Sequence, residues 1–126
     1  GFKNKEPIWG NNFYQALVNS KMGLNLSRGL PTKYYSSNRI ASLIGNGLLT
    51  FIDKKTQLGD FFNDNEIILY DNIQDLSEKI KFYKNNSKIR IKIARNGKKK
   101  YFKLFNELKI TKYIVDKSLG TNSKLF

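Results

Sequence analysis

The chain has 126 residues, 40% hydrophobic and 13% aromatic, a composition typical of one folded domain with a modest core. It contains neither cysteine nor histidine, which excludes disulfides, metal sites built on those residues and nucleophile–histidine catalysis. The 23 basic and 10 acidic side chains give a formal net charge of +13, which favours an anionic partner or a solvated basic surface, and no apolar run approaches the roughly 20 residues of a membrane span.

The first predicted elements are a helix and a short strand. Asn11 or Asn12 can cap the helix, and the residues spaced for its apolar side are Phe13, Ala16 and Leu17. Residues 22–27 (MGLNLS) are short, apolar and alternating, which is typical of a strand. A loop broken by Gly29 and Pro31 follows.

A second helix and a second strand are predicted next. Ser36 or Ser37 can cap the helix, whose buried side is formed by Ile40, Leu43 and Ile44. The triplet Gly45-Asn46-Gly47 is expected to end it, because glycine suits the left-handed conformation common after helix C termini. Residues 48–53 (LLTFID) are continuously apolar up to their closing acid, which suits a parallel strand buried on both faces.

One more strand is predicted, over residues 66–70, after a loop whose apolar residues are Leu58, Phe61 and Phe62. Asp71 or Asn72 can cap the helix that follows. The apolar side of that helix is formed by Ile73, Leu76, Ile80 and Tyr83.

Residues 88–105 allow two interpretations. Their start alternates apolar and basic residues and leads to Asn96-Gly97, which is typical of a basic β-hairpin. Their second half has aromatic and apolar pairs spaced by three and four, which favours a helix. We predict a helix there and a last helix over residues 107–118, with residues 120–126 as a frayed tail. The apolar residues of the last helix are Leu108, Val115 and Leu119.

Short apolar strands that alternate with helices predict an α/β fold, with a mostly parallel sheet and right-handed crossovers. No internal repeat or linker divides the chain, so residues 1–126 are expected to form a single domain.

The loop before the second helix is the strongest candidate for a ligand site. Ligands bind at the carboxyl ends of strands in open parallel sheets, and this loop leads from such an end into a helix N terminus. The free amides there, with Lys33 and Arg39, would attract an anion. Further donors are Ser36, Ser37 and Asn38, and Tyr34 or Tyr35 could stack on a base. The alternative is an ordinary helix cap with packed tyrosines.

Other kinds of site receive less support from the sequence. The usual glycine-rich nucleotide motifs are missing. Three acids crowd one loop, but no pattern directs them toward a common pocket, so we interpret Asp60, Asp64 and Glu66 as solvated loop residues.

The order of motifs resembles the C-terminal half of GT-B glycosyltransferases of the group 1 type, most closely the branch of spore-maturation-type (CgeB-like) proteins. The resemblance covers residues 8–118 and also favours the helix over 88–105. The motifs that carry it are GLNLSRG (23–29), SSNRIASLIGNGLLTFID (36–53), LGDFFNDNEIILYD (58–71), IQDLSEKIKFYKNN (73–86) and IARNG (93–97).

The resemblance implies a Rossmann-like domain, half of a GT-B fold, that binds the nucleotide-sugar donor. Arg39 matches an arginine that lies beside the donor diphosphate, together with Ser36, Ser37 and Asn38. Ser42 stands where the family usually has a glutamate for the ribose hydroxyls, and Gly47 matches a glycine that allows close approach to the ligand. Asn25 matches the asparagine of the strand, and Lys33 and Tyr35 complete the expected donor-binding set.

In this family the acceptor site and the usual catalytic base lie on an N-terminal domain, so no catalytic residue is assigned and the fragment alone is expected to be inactive. No metal or cofactor is expected; the nucleotide-diphosphate sugar is the substrate, and a cell-envelope glycan or similar molecule the acceptor. No secretory signal is apparent, and we expect a cytoplasmic protein.

Thirteen basic residues and one acid, Glu107, lie between Lys79 and Lys112. We expect this basic surface to contact the inner face of an anionic membrane. The alternative function is a small nucleic-acid-binding module that uses residues 88–105, although a nucleic-acid partner is not expected.

Overall fold

The computed structural model describes residues 6–27, 29–121 and 124. Within them, five α-helices and three β-strands follow one another in the predicted order. Their bounds are α1 Gly10–Val18, β1 Met22–Asn25, α2 Asn38–Gly45, β2 Leu49–Asp53, β3 Ile68–Tyr70, α3 Ile73–Asn85, α4 Ser87–Leu104 and α5 Glu107–Ser118.

The three strands form one parallel sheet in the order β1-β2-β3. The central strand, β2, has its first four residues buried on both faces, which confirms the interpretation of its continuous apolar run. Helix α2 connects β1 to β2, so the carboxyl end of β1 faces the start of α2. The fold is therefore α/β and consistent with a Rossmann-like half of a GT-B fold.

The helices bury one large apolar cluster on each face of the sheet, and a smaller third cluster of Leu17, Leu43 and Leu48 joins α1 to α2. On one face, α2 packs over the cluster formed by Ile40, Ile44, Ile52, Leu58, Phe62 and Ile67. On the other face, α3 and the first half of α4 cover the cluster formed by Leu49, Phe51, Ile68, Tyr70, Ile93 and Ala94. Helix α4 contributes to both clusters, because Tyr101 and Leu104 pack against the first and Ile93 and Ala94 belong to the second. Residues 88–105 are thus helical almost throughout, as predicted.

Several element boundaries differ from the prediction. Helix α1 begins at Gly10 after Trp9, so neither Asn11 nor Asn12 caps it, and the expected cap was wrong. Strand β3 begins at Ile68, because the amides of Glu66 and Ile67 donate instead to the carbonyl oxygen of Asn63 and form a turn.

The end of the first strand also differs from the prediction, and the last helix lies apart from the core. Strand β1 ends at Asn25, where its pairing with Ile52 ends, so residues 26 and 27 lie beyond the sheet. Helix α5 spans the predicted residues, but its apolar residues Leu108 and Val115, and Leu119 directly after it, are exposed. Most of the tail predicted to fray, residues 122, 123, 125 and 126, lies outside the described part of the chain.

None of the helices in the described ranges is both long enough and apolar enough to cross a membrane.

Candidate functional site

The carboxyl end of β1 has two buried polar groups without a hydrogen-bond partner in the part of the chain that the structure describes. Asn25 is 1% exposed and lies on the sheet face that α2 covers. Its Oδ1 accepts a hydrogen bond from the Ser37 hydroxyl at 3.2 Å, but its Nδ2 has no partner among the described residues. The buried hydroxyl of Ser27, two residues further along, has none either. Two buried polar atoms near the carboxyl end of β1, Asn25 Nδ2 and Ser27 Oγ, therefore have unused hydrogen-bonding capacity.

The start of α2 lies beside this point and carries no side-chain cap. Ser37 occupies the N-cap position, as the sequence predicts, but its hydroxyl bonds Asn25 instead of the first amides of the helix. The amide of Ile40 donates to the carbonyl oxygen of Ser37 at 2.9 Å, whereas the amides of Asn38 and Arg39 have no partner among the described residues and remain available. They also carry the positive end of the helix dipole.

Arg39 adds a cation to the same end of α2. Its Nη1 donates to the carbonyl oxygen of Leu26 at 2.7 Å, which holds the guanidinium against the chain just after β1. None of the ion pairs in the described residues involves Arg39. Asn25, Ser27, Ser37 and Arg39 thus form one cluster, which we call the α2 entrance. It offers hydrogen-bond donors and positive charge, as an anion site requires.

Two more of the predicted residues, Ser36 and Asn38, lie exposed in the same turn. The preceding tyrosines behave differently from each other. The Tyr34 hydroxyl donates to Asp60 at 2.7 Å and its ring packs edge-on against Phe61, so this residue is tied to the loop after β2. Tyr35 is 36% exposed, and no ring contact engages it within the described residues. Lys33 lies over the Tyr34 ring, with Nζ 4.8 Å from its centroid.

Ser42 and Gly47 lie further from the α2 entrance. The Ser42 hydroxyl donates to the carbonyl oxygen of Asn38 at 3.0 Å, one turn back along α2. Gly47 has a φ of 77° and follows the far end of α2, about 12 Å along the axis from the first residue of this eight-residue helix. The structure therefore does not bring Gly47 together with Arg39 and Asn25.

The acids at the end of β2 and before β3 have local structural partners. Asp53 Oδ1 accepts the amide of Lys55 at 2.8 Å and caps the short 3₁₀ turn after β2. Burial, and to a lesser extent the charge of Asp53, raise the pKa of Tyr70 above 10.0, so the phenol stays neutral at neutral pH. Glu66 accepts the amide of Asn63 at 2.9 Å. Across the described ranges, no group of three or more acidic side chains is placed to hold a metal ion.

Ser27 is the member of the α2 entrance that the sequence interpretation missed. Its signal was present, because residues two apart in an extended segment share a face and Ser27 is two residues after Asn25. The carbonyl of Leu26, which holds Arg39, carries no such signal, since every residue has a carbonyl.

A family model described as glycosyl transferase-like matches residues 1–111. The chain belongs to the glycosyl transferase-like family. No curated protein and no solved structure matches it. Membership in this family supports glycosyl transfer as the general activity of this glycosyl transferase-like chain and does not favour the alternative of a nucleic-acid-binding module.

Proposed function

We propose that this chain is the donor-binding part of a GT-B group 1 glycosyltransferase, from the spore-maturation-type (CgeB-like) branch. It would bind a nucleotide-diphosphate sugar, whose sugar is transferred to a cell-envelope glycan or a similar acceptor. The observation that carries the proposal is the buried, unpartnered Nδ2 of Asn25 beside the uncapped start of α2.

A buried hydrogen-bond donor without a partner lowers the stability of the folded state by about 1–3 kcal/mol. The protein without ligand would have two such groups, Asn25 Nδ2 and the Ser27 hydroxyl. A ligand that brings acceptor oxygens to the α2 entrance would remove this loss of stability. The diphosphate of a nucleotide sugar has acceptor oxygens and negative charge, so it matches both the donors and the sign of the charge.

The same groups would assist the chemical step. When the glycosidic bond of the donor breaks, negative charge develops on the leaving diphosphate. Arg39 and the first amides of α2 are fixed before the reaction, Arg39 by its bond to Leu26. Pre-positioned donors of this kind stabilise developing charge most effectively, and the proposal therefore needs no metal.

The remaining expected contacts would come from the flanking residues. Tyr35, with its free ring, is the tyrosine that we propose to stack on the base, whereas Tyr34 is held by Asp60 and Phe61. Ser42 would offer one hydroxyl to the ribose, where a carboxylate could bridge two. Its present bond to Asn38 would have to be exchanged for that contact.

We propose that the acceptor site and the catalytic base lie on a second domain. The α2 entrance supplies hydrogen-bond donors, and the nearby carboxylates of Asp53 and Glu66 accept backbone amides in turns. The described residues therefore offer no evident catalytic base at this point. Residues 1–126 alone should then bind donor weakly and should not turn over.

The test compares Arg39→Ala with Lys99→Ala in the full-length protein, by calorimetric titration with uridine and guanosine diphosphate sugars. Loss of a charge-assisted hydrogen bond costs about 1.5–3 kcal/mol, so Arg39→Ala should weaken binding about ten- to a hundredfold. Lys99 is exposed on α4. Because Lys99→Ala removes the same charge away from the α2 entrance, this variant should bind the donor almost normally. Small and equal effects of the two substitutions, or no saturable binding to any donor, would argue against the proposal.

A further inference from the structure

A cavity of about 290 Å³ lies at the opposite end of the sheet from the α2 entrance. Lys21 precedes β1 and Gly47 precedes β2, so the cavity is located where the amino ends of these parallel strands meet the first half of α4. We call it the amino-end cavity. The residues that line it are Ser20, Lys21, Gly47, Arg90, Ile91, Ala94 and Arg95.

Arg90 is the most unusual residue of this cavity, because it is only 7% exposed and has no anionic partner among the described residues. Its Nη1 donates to the carbonyl oxygens of Tyr83 at 2.8 Å and Lys84 at 3.2 Å, at the end of α3. Both bonds come from one nitrogen of the guanidinium, Nη1. The other two nitrogens, Nε and Nη2, have no hydrogen-bond partner among the described residues. None of the described carboxylates forms an ion pair with Arg90. In the described part of the chain, the buried side-chain polar atoms without a partner are Asn25 Nδ2 and Ser27 Oγ, so water reaches the two free nitrogens of Arg90. The carbonyl dipoles of α3 compensate the charge in part, and a counter-ion at the free nitrogens would compensate the rest.

Two further cations line the cavity and a third lies at its edge. Lys21 and Arg95 are exposed, and neither side chain forms an ion pair with any described carboxylate. The side chain of Lys98 passes beside Gly47, where a Cβ would lie 3.5 Å from its Cδ. No acid lines the cavity, so its net charge is strongly positive.

We propose that the amino-end cavity binds a phosphate group. A guanidinium with two free nitrogens can bind two phosphate oxygens at once, and Lys21 and Arg95 would neutralise the rest of the charge. A phosphate bound there would supply the counter-ion that Arg90 lacks.

The apolar part of the cavity indicates that the phosphate belongs to an organic molecule. Ile91 and Ala94 form one side of it, and its volume exceeds the roughly 30 Å³ that one water occupies in the liquid about tenfold. Two sources have this chemistry: a free phosphate ester and the headgroup of an anionic phospholipid. Lys88 and Lys92 are exposed and share, by helical spacing, the face of α4 that carries Ile91 and Arg95, so they would suit the headgroup region of a membrane.

This site is independent of the proposed donor site. The four residues of β1 separate the two ends of the sheet by about 13 Å, and no residue is shared between the cavity lining and the α2 entrance. Failure of one proposal would leave the other unaffected.

The first arm of the test is a titration with inorganic phosphate at constant ionic strength, followed by NMR of the Gly47 amide and the Arg90 Nε–H. Both signals should shift saturably in the unmodified chain. Removing two cations, in the pair Lys21→Gln and Arg95→Gln, should weaken the binding at least about tenfold. The matched pair Lys55→Gln and Lys117→Gln changes the net charge equally, lies outside both the cavity and the Lys79–Lys112 surface, and should leave the binding unchanged.

The second arm uses vesicles of pure phosphatidylcholine and vesicles of equal parts phosphatidylcholine and phosphatidylglycerol. If co-sedimentation requires phosphatidylglycerol and is lost only in the Lys21 and Arg95 pair, the bound phosphate is a lipid headgroup, even without saturable shifts by inorganic phosphate. Saturable shifts without vesicle binding identify a free phosphate ester. If neither arm shows binding, or if the two pairs weaken it equally, the proposal is wrong. Arg90 is left unchanged throughout, because it anchors the end of α3.

Discussion

At the scale of single residues, Asn25 allows a functional polar group to be distinguished from a structural one. The substitution Asn25→Leu removes the hydrogen bond from Ser37, which lowers stability, and also removes the unpartnered buried Nδ2, which raises it. The two effects offset each other. We expect the free energy of unfolding to change by less than about 1 kcal/mol while the affinity for nucleotide-diphosphate sugar falls about tenfold or more. Urea unfolding and calorimetry measure the two quantities.

Thr50→Val is the matched control for Asn25. Thr50 is equally buried, at 1% exposure, and its hydroxyl is already satisfied by the carbonyl oxygen of Leu48 at 3.0 Å. Its variant should lose about 1 kcal/mol of stability and keep donor affinity. If Asn25→Leu showed this same pattern, Asn25 would be structural and its role at the donor would be disproved.

Gly97 is a residue whose small size the packing of α4 requires. A Cβ at this position would collide with the backbone carbonyl oxygen of Glu66, which cannot move as a side chain can. We expect Gly97→Ala to lower the free energy of unfolding by about 1–3 kcal/mol, although alanine favours a helix. Gly45, which lies in α2 with open space around its Cβ position, is the control, and Gly45→Ala should be neutral or stabilising by up to about 1 kcal/mol. Equal effects in thermal unfolding would contradict this role for Gly97.

At the scale of elements, the start of α3 has a cap that depends on pH. The Asn72 side chain accepts the amide of Asp75, and the Asp75 carboxylate accepts Lys79 Nζ and the amide of Asp71. The hydrogen bond from Lys79, followed by that from the Asp71 amide, lowers the pKa of Asp75 below 3.8. Because the folded state binds this proton less readily than the unfolded state, the contribution to stability is complete above 3.8 and is lost as the pH falls through the lowered pKa.

We therefore expect Asp75→Asn to lower stability at neutral pH and to make stability less dependent on pH in the acid range. Glu78→Gln, an exposed position on the same helix, should leave both the stability and its acid dependence close to those of the unmodified chain. Urea unfolding at a series of pH values measures these curves. An unchanged acid dependence in Asp75→Asn would show that the cap does not contribute.

The elements themselves were predicted where one local signal dominated. The spacing of Ile40, Leu43 and Ile44 identified α2, and all three are buried. Asn72 caps α3 as expected. Residues 88–105 were ambiguous from the sequence, because apolar and basic residues alternate at the start and apolar residues have helical spacing at the end. The helix forms because it packs against both apolar clusters. The start of α1 could not be predicted, since no side chain caps it.

The candidate site was predicted less completely than the fold. The sequence indicated Arg39 and the serines before α2, and the structure places them at the carboxyl end of β1. It could not indicate that Ser37 would bond Asn25 and leave the helix uncapped, since this choice depends on how close the strand and helix lie. For the same reason the sequence could not show that Gly47 lies at the opposite end of α2 from Arg39.

At the scale of the whole molecule, the cations behind the net charge of +13 lie in three separate places, which composition alone could not show. Arg39 lies at the proposed donor site, and Lys21, Arg90 and Arg95 surround the amino-end cavity at the other end of the sheet. The exposed lysines of α4 belong to the surface, Lys79 to Lys112, that we propose to contact an anionic membrane. If the proposals hold, the phosphate of a lipid and the diphosphate of a sugar donor would bind at opposite ends of one small sheet.

The most direct measurement is a crystal structure of the protein soaked with uridine or guanosine diphosphate. The proposed function predicts phosphate oxygens within hydrogen-bond distance of Asn25 Nδ2 and of the first amides of α2, with the guanidinium of Arg39 beside them. A nucleotide bound elsewhere, with the α2 entrance closed by protein atoms and Arg39 directed away from it, would contradict the donor site.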